Sequence, residues 1–294
     1  MNLFNSSHKI SPFSRMLKLE FDGRSFESNG PAVMGIINLT PDSFYESSRK
    51  TNIDEALRAA ESMLEQGVDI LDLGAVSTRP GADIPDEVTE TARLIPAITA
   101  IMKRFPEAYL SVDTFRHDLA KKAAEHGAFM INDISGGTFD RQMIETIGRL
   151  NIPYVLMHTT DVPQKMQQNA INSQAPTIVR KFFHEQCELF RKAGAKQLII
   201  DPGFGFGKTL EANYALLNHL SDLAPATYPI LVGVSRKSMI YKVLQVSASE
   251  ALNGTSVLNT VGLLNGASIL RVHDVKEARE TIRLMRVLHE NEQK

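Results

Sequence analysis

Asp113, Asn132 and Asp201 each close a short apolar run, over residues 109–112, 129–131 and 198–200. A carboxylate at the end of a buried strand is costly unless paired, and a salt bridge is the ordinary solution for any one of them. Converging on one opening, such groups suit a different partner: a flat heterocycle with adjacent N–H donors of guanidine or amide type. A carboxylate accepts two parallel N–H bonds from such an edge. An asparagine supplies both a donor and an acceptor for the rest of the ring.

A basic set stands apart. Arg79, Lys237, Arg271 and His273 follow other apolar runs, with Ser235 and Ser238 beside them. Cations and hydroxyls that converge read as an oxyanion or phosphate site. Arg271 and His273 are two apart, so both face one side of a strand. Asn38, with Thr40, Asp42 and Ser43 after it, could reach a Mg2+ ion bridging phosphates, because Mg2+ takes few protein ligands and keeps several waters. His158 stands alone at its strand end and reads as structural.

The segment Asp201-Pro-Gly-Phe-Gly-Phe-Gly-Lys208-Thr209 invites a phosphate-loop reading, but Pro202 occupies a position where that pattern requires glycine. The dinucleotide fingerprint fails in spacing as well. The segment reads instead as a glycine loop that presents Phe204 and Phe206 to a pocket, where their faces could stack on a planar substrate.

These residues need a scaffold that gathers strand ends. Eight runs rich in Ile, Val and Leu (33–37, 70–73, 109–112, 129–131, 154–157, 198–200, 230–234 and 269–272) read as strands buried on both faces. Helical patterns separate them, including residues 117–125, 175–193, 210–220, 249–264 and 275–290. A first crossover helix is signalled by the capping pair Asn52 and Glu55 and stopped at Gly67, and Asp274 with Glu277 makes a second capping pattern. The fold class is α/β: a (β/α)8 TIM barrel with its site at the strand C-termini, preceded by a β-hairpin extension. Residues 17–21 and 25–27 form that hairpin around the tight turn Asp22-Gly23, placed to plug the barrel floor. Residues 1–16 are expected to be a poorly ordered extension, and 17–294 one barrel domain. Three long connections, 40–51, 74–85 and 159–175, lie where barrel function usually resides.

Composition narrows the partners. The 294 residues carry 32 basic and 34 acidic side chains, net -2, so neither nucleic acid nor a membrane surface is an expected partner. The single Cys187 excludes a disulfide framework. No apolar run approaches the roughly 20 residues of a membrane span, and residues 1–16 lack an apolar signal core. A cytoplasmic protein is expected.

Seven ordered blocks resemble the signatures of the dihydropteroate synthase family. They are Met34-Gly-Ile-Ile-Asn-Leu-Thr-Pro-Asp-Ser-Phe44, Asp72-Leu-Gly-Ala-Val-Ser-Thr-Arg-Pro-Gly81, Ser111-Val-Asp-Thr114, Ile131-Asn-Asp133, the glycine loop to Lys208, Gly233-Val-Ser-Arg-Lys-Ser238 and Arg271-Val-His-Asp274. The resemblance covers residues 17–290. It implies condensation of 6-hydroxymethyl-7,8-dihydropterin diphosphate with 4-aminobenzoate to 7,8-dihydropteroate and diphosphate, with Mg2+ as cofactor and a homodimer as the assembly. By that resemblance the pterin is held by Asp113, Asn132, Asp201 and Lys237, with Arg271 stacked on its ring. Asn38 meets the metal and the diphosphate. Arg79, Ser235, Arg271 and His273 hold the diphosphate. Phe44, Thr78, Pro80, Phe206, Lys237 and Ser238 frame the aminobenzoate.

That chemistry suits the residues. Cations and Mg2+ stabilise charge building on a diphosphate leaving group. Asp113, Lys237 and Arg271 are then the expected catalytic set, with Asp113 also stabilising positive charge on the pterin. The arylamine needs orientation more than a strong base, and ordering of the first two loops over the diphosphate implies ordered binding. The chain departs from the family at Tyr45-Glu-Ser-Ser48, where a glycine pair is lost, at Val76, and at Thr159-Thr160. Two alternatives remain: a methyltetrahydrofolate methyltransferase-like barrel, which needs no diphosphate site, and a catalytically silent pterin-binding homologue.

Overall fold

Two strands, β1 (Met16–Phe21) and β2 (Arg24–Asn29), pair antiparallel around Asp22 and Gly23, both at positive φ as the tight hairpin turn requires. The computed structural model describes residues 13, 16–39, 46–74, 84–225 and 227–292, with 46–51 and 292 described by backbone alone. Phe44, Thr78, Arg79 and Pro80, most of the connections 40–51 and 74–85, and residues 1–12 lie outside the described residues. Within the expected extension, Met16 already belongs to β1, and Phe13 stacks on His289 with ring centroids 5.8 Å apart.

The remaining strands are β3 (Ala32–Asn38), β4 (Ile70–Gly74), β5 (Tyr109–Asp113), β6 (Met130–Asp133), β7 (Tyr154–Met157), β8 (Leu198–Asp201), β9 (Leu231–Val232) and β10 (Ile269–Val272). They pair in parallel in the order β8-β7-β6-β5-β4-β3-β10-β9. The bridge between Ile200 and Ile230 and the bond from Ile200 N–H to the Pro229 carbonyl (3.0 Å) join the two ends into a closed barrel. β9 is shorter than the run 230–234 implied, with Pro229 before it and Gly233 after it.

The helices are α1 (Glu46–Glu65), α2 (Glu87–Arg104), α3 (His117–Glu125), α4 (Gln142–Leu150), α5 (Ala175–Lys192), α6 (Leu210–Asn218), α7 (Ser238–Leu244), α8 (Leu252–Leu264) and α9 (Val275–Glu292). α1 begins six residues before Asn52, so the Asn52/Glu55 pattern is interior to a helix and not its cap. The run 46–51 contains no Pro or Gly to stop the helix from extending back. The expected helix 249–264 is split into a 3-10 turn, Ala248–Glu250, and α8. Asp274 holds Arg236 with both carboxylate oxygens.

Alternation along each strand divides the apolar residues between two cores. Val33, Ile37, Leu71, Leu73, Leu110 and Val112 face the helices. Ala32, Met34, Ile70, Met130, Val155, Ile199, Leu231 and Ile269 face inward and fill the lower lumen. Leu17, Leu19 and Phe26 of the hairpin join this inner cluster from below, so the hairpin closes the barrel floor as its sequence implied. Gln197 exchanges two bonds with the backbone of Glu20 (2.6 and 2.7 Å), and the Tyr109 hydroxyl donates to the Ser25 carbonyl (2.6 Å). With the lower lumen full and its floor plugged, polar side chains on the inward parity can gather only at the upper mouth.

Candidate active site

The inward parity of β4, β5, β6 and β8 carries Asp72, Asp113, Asn132 and Asp201 into the barrel, all of them buried. From β10 the same parity brings Arg271 across to meet them. Its Nε donates to Oδ2 of Asp72 at 2.7 Å, and its Nη2 donates to Oδ2 of Asp113 at 3.2 Å. Asn132 donates its amide nitrogen to the same Asp72 oxygen at 3.1 Å. Asp201 accepts the Gly203 N–H at 2.7 Å. Burial pushes the Asp113 carboxyl up to about 8, against the pull of Arg271 and with the repulsion of Asp72. Burial also raises Asp201, which Lys237 partly offsets.

Lys237 enters from the connection after β9. Its Nζ donates to the Phe204 carbonyl at 2.7 Å and sits 4.8 Å from the centroid of the Phe206 ring. Burial lowers its ammonium to about 8, while Asp201 opposes the shift. Arg236, just before it, takes the left-handed φ of +54° and is tied to Asp274. This turn sends Arg236 outward as a structural buckle and leaves Lys237 for the mouth.

Ser235 and His273 form one unit. The His273 backbone N–H donates to Ser235 Oγ at 3.2 Å, and that oxygen lies 3.0 Å from His273 Nδ1. If the hydroxyl donates to Nδ1, Nε2–H is left for a ligand; if Nδ1–H donates, the hydroxyl proton is left. Either tautomer offers an anion one neutral donor. The outer edge of His273 is exposed, yet desolvation of its inner side, followed by Arg271, pushes the ring down to about 4. It is neutral at pH 7.

The apolar wall is built by Phe115, Ile134, Met157, Met166 and Phe206, which pack together around the top of β5 to β8. Phe206 stands in this apolar cluster, buried among its neighbours. Phe204 does not: it is fully buried in the outer, helix-facing core. Gly203 and Gly205 both take positive φ and turn the chain between the two rings. A Cβ on Gly203 would collide with the His158 carbonyl oxygen, so this loop passes closer to β7 than any other residue allows.

His158 is structural, as its isolation implied. Lys208 donates to its Nδ1 (3.1 Å), to its carbonyl (3.1 Å) and to the Phe206 carbonyl (2.9 Å). Burial, then Lys208, lower His158 to about 3, and burial lowers Lys208 itself to about 7. This buried pair holds the glycine loop against the end of β7.

Among the remaining expected residues, Ser238 is the first residue of α7, half-buried beside Lys237, and Asn38 ends β3 exposed, on the face of Ala32 and Met34. Sequence reading overlooked Asp72 as a site residue and Phe115, Ile134 and Met157 as the wall. It also overlooked Glu90, a fully buried carboxylate on α2 that accepts Thr114 Oγ1 and Arg116 Nε, each at 2.8 Å. The signal for Asp72 was parity: it shares the inward face with Ile70.

The mouth thus combines a buried acid and amide floor, cations that overlap it, a neutral donor pair and an apolar wall. Such an arrangement can fix a planar, donor-rich heterocycle, receive an anionic group at its rim and lay a second flat group on the wall. A profile of the family described as pterin binding enzyme matches residues 34–273. The dihydropteroate synthase of Escherichia coli K12 is 39% identical over 271 residues, 92% of this chain and 95% of that one. The solved Yersinia pestis dihydropteroate synthase in a sulfonamide drug complex superposes with a TM-score of 0.86 at 37% identity, covering 93% of this chain and 100% of that one. The Xanthomonas albilineans enzyme with 4-aminobenzoic acid gives a TM-score of 0.84 at 32% identity, covering 95% and 99%.

Proposed function

The chain belongs to the pterin-binding enzyme family, among its dihydropteroate synthases, and from that premise we propose that it joins 6-hydroxymethyl-7,8-dihydropterin diphosphate to 4-aminobenzoate, releasing diphosphate and forming 7,8-dihydropteroate for folate biosynthesis. The observation that carries this reading is the position of Arg271. It reaches Asp113 in the floor and Asp72 one layer beneath it, and lies two residues from His273 in the rim. One guanidinium therefore spans the place for the heterocycle and the place for its leaving group. A methyltransferase-like barrel would need the floor but not the rim.

Asp113, Asn132, Asp201 and Lys237 hold the pterin, with Arg271 against its ring. The diphosphate leaves toward Arg271, the Ser235–His273 pair, Asn38 and Arg79, whose donors take up the developing negative charge. Asp113, ionised, steadies the positive charge left on the pterin carbon. Phe206, Lys237 and Ser238, with Phe44, Thr78 and Pro80, orient the arylamine. Asn38 would hold Mg2+: a lone carboxamide oxygen at an open mouth fits an ion that keeps several waters and takes few protein ligands. When bound, that ion would neutralise charge on the diphosphate.

Exposed apolar side chains on neighbouring helices support a homodimer: Val243 and Leu244 on α7, Val257 and Leu264 on α8, Leu284 and Leu288 on α9. Light scattering on the purified chain tests it. Among the described residues no helix is long and apolar enough to cross a membrane. A substrate carrying a diphosphate does not cross membranes unaided, which supports placing the enzyme in the cytoplasm. The deciding assay mixes protein, pterin diphosphate, Mg2+ and 4-aminobenzoate: diphosphate should appear only when both organic substrates are present. Release that ignores the arylamine, or none at all, would overturn the synthase reading.

A further inference from the structure

Asp72 lies one layer below the pterin floor. Its register partner on β5 is Ser111, two residues before Asp113, and both Asp72 and Ser111 are fully buried. One oxygen of its carboxylate serves two partners, the Arg271 guanidinium at 2.7 Å and the Asn132 amide nitrogen at 3.1 Å. The other, Oδ1, is buried with no hydrogen-bond partner among the described residues, as is Ser111 Oγ. An uncompensated carboxylate oxygen in a closed interior is expensive and is tolerated where the group has work to do. We propose that Asp72 is a positioning residue for the pterin: it fixes which way the Asn132 amide faces and anchors the Arg271 guanidinium between floor and rim.

The first half follows from hydrogen-bond chemistry. An ionised carboxylate only accepts, so it selects the amide orientation that turns nitrogen toward it. The Asn132 carbonyl oxygen is then turned away from Asp72, free to accept an N–H of the heterocycle. Without the carboxylate the amide has two near-equivalent orientations, one of which presents donors to donors. The second half follows from charge. Arg271 faces two carboxylates, and the nearer contact is to Asp72. With its charge balanced from below, Arg271 can release Asp113 to the substrate without being left unpaired in the interior.

This inference rests on the pterin reading of the site, and calorimetry separates the two because it needs no turnover. Asp72→Asn keeps the shape and removes the charge; Asp72→Ser is a smaller second variant. Both should melt cooperatively, bind pterin diphosphate at least about tenfold more weakly, and leave KM for 4-aminobenzoate within about twofold once pterin is saturating. In an Asn132→Ala background, Asp72→Asn should cost clearly less pterin affinity than in the parent, since one of the two groups it positions is gone. Pterin affinity unchanged in either folded variant would overturn the proposal, as would independent, multiplicative losses. Loss of the fold in both variants would make Asp72 structural and overturn it too. Failure of the synthase reading shows differently, as absent arylamine-dependent turnover in the unaltered protein.

Discussion

Arg236 grips Asp274 with two bonds, 2.9 Å from Nε and 2.8 Å from Nη2, across the tops of β9 and β10. Ser235 and His273 sit one residue before each partner, and they face each other at 3.0 Å. The ion pair therefore sets the spacing of the rim donors without touching the ligand itself. It is only partly exposed, 24% and 18%, so it is screened less than a surface pair. Asp274→Ala should lower stability by about 1–3 kcal/mol, read from the denaturant midpoint. It should also raise KM for pterin diphosphate more than KM for 4-aminobenzoate. A neutral midpoint would show that the Arg236 bonds to the Ala248 and Ser249 carbonyls and to Thr255 hold the turn without Asp274.

Asp113 and Lys237 give the activity a pH signature. Asp113 must be ionised to accept N–H donors, and burial has raised it to about 8. Lys237 must be protonated, and burial has lowered it to about 8. The expected kcat/KM for pterin diphosphate is bell-shaped with its maximum near pH 8, rising about tenfold per unit on the acid side. Asp113→Asn should flatten the acid limb of whatever activity remains. The same shift has a stability consequence. The folded protein binds this proton more tightly than the unfolded chain, whose Asp titrates near 3.8. That contribution is complete below about pH 4 and is lost as pH rises through about 8. The melting temperature of Asp113→Asn should therefore gain on that of the parent as pH climbs from 4 to 8. A constant difference across that window would refute the assignment.

Arg271 and His158 both sit at strand ends, but their partners separate them. Removing the Arg271 guanidinium takes from Asp72 and Asp113 the cation they share and, on the proposed reading, removes one cation from the diphosphate site. Arg271→Ala should lose at least about 100-fold in kcat/KM. His158 spends Nδ1 and its carbonyl on Lys208, behind the glycine loop. His158→Ala should lose less than about tenfold, with a measurable drop in melting temperature from the lost contact to Phe182. Equal losses of activity would overturn this ranking.

The barrel was legible because strands buried on both faces write themselves as unbroken apolar runs, and the hairpin because Asp-Gly permits two successive positive φ values. Helix boundaries were less so. The capping pattern at Asn52 is chemically sound, yet nothing in residues 46–51 stops a helix from extending past it. The floor residues Asp113, Asn132 and Asp201 were readable because they end their runs. Asp72 interrupts one, and only its parity with Ile70 separates a lumen carboxylate from a salt-bridge partner of a helix. Phe204 and Phe206 look equivalent in sequence. Two positive-φ glycines turn one ring into the outer core and leave the other in the mouth, which no local pattern reveals.

Phe206 supplies the last prediction. Its ring lies in the apolar wall with Met157 and Phe115, and one face is covered by the Lys237 ammonium at 4.8 Å. A cation over a ring face is worth about 0.5–2 kcal/mol depending on desolvation, so truncating the ring both opens the wall and releases Lys237 toward the floor. Phe206→Ala should raise KM for 4-aminobenzoate about tenfold, equivalent to about 1.4 kcal/mol, through loss of the flat surface. Phe206→Leu keeps apolar volume but not the ring face. It should recover the stability of the wall, measured by thermal melting, and only part of the arylamine affinity. Affinity for pterin diphosphate, measured without arylamine, should move less than threefold in both, because the proposed pterin ligands Asp113, Asn132 and Asp201 are carried by the barrel strands themselves and make no hydrogen bond to Phe206. A larger loss of pterin affinity than of arylamine affinity would place Phe206 in the floor and not in the wall.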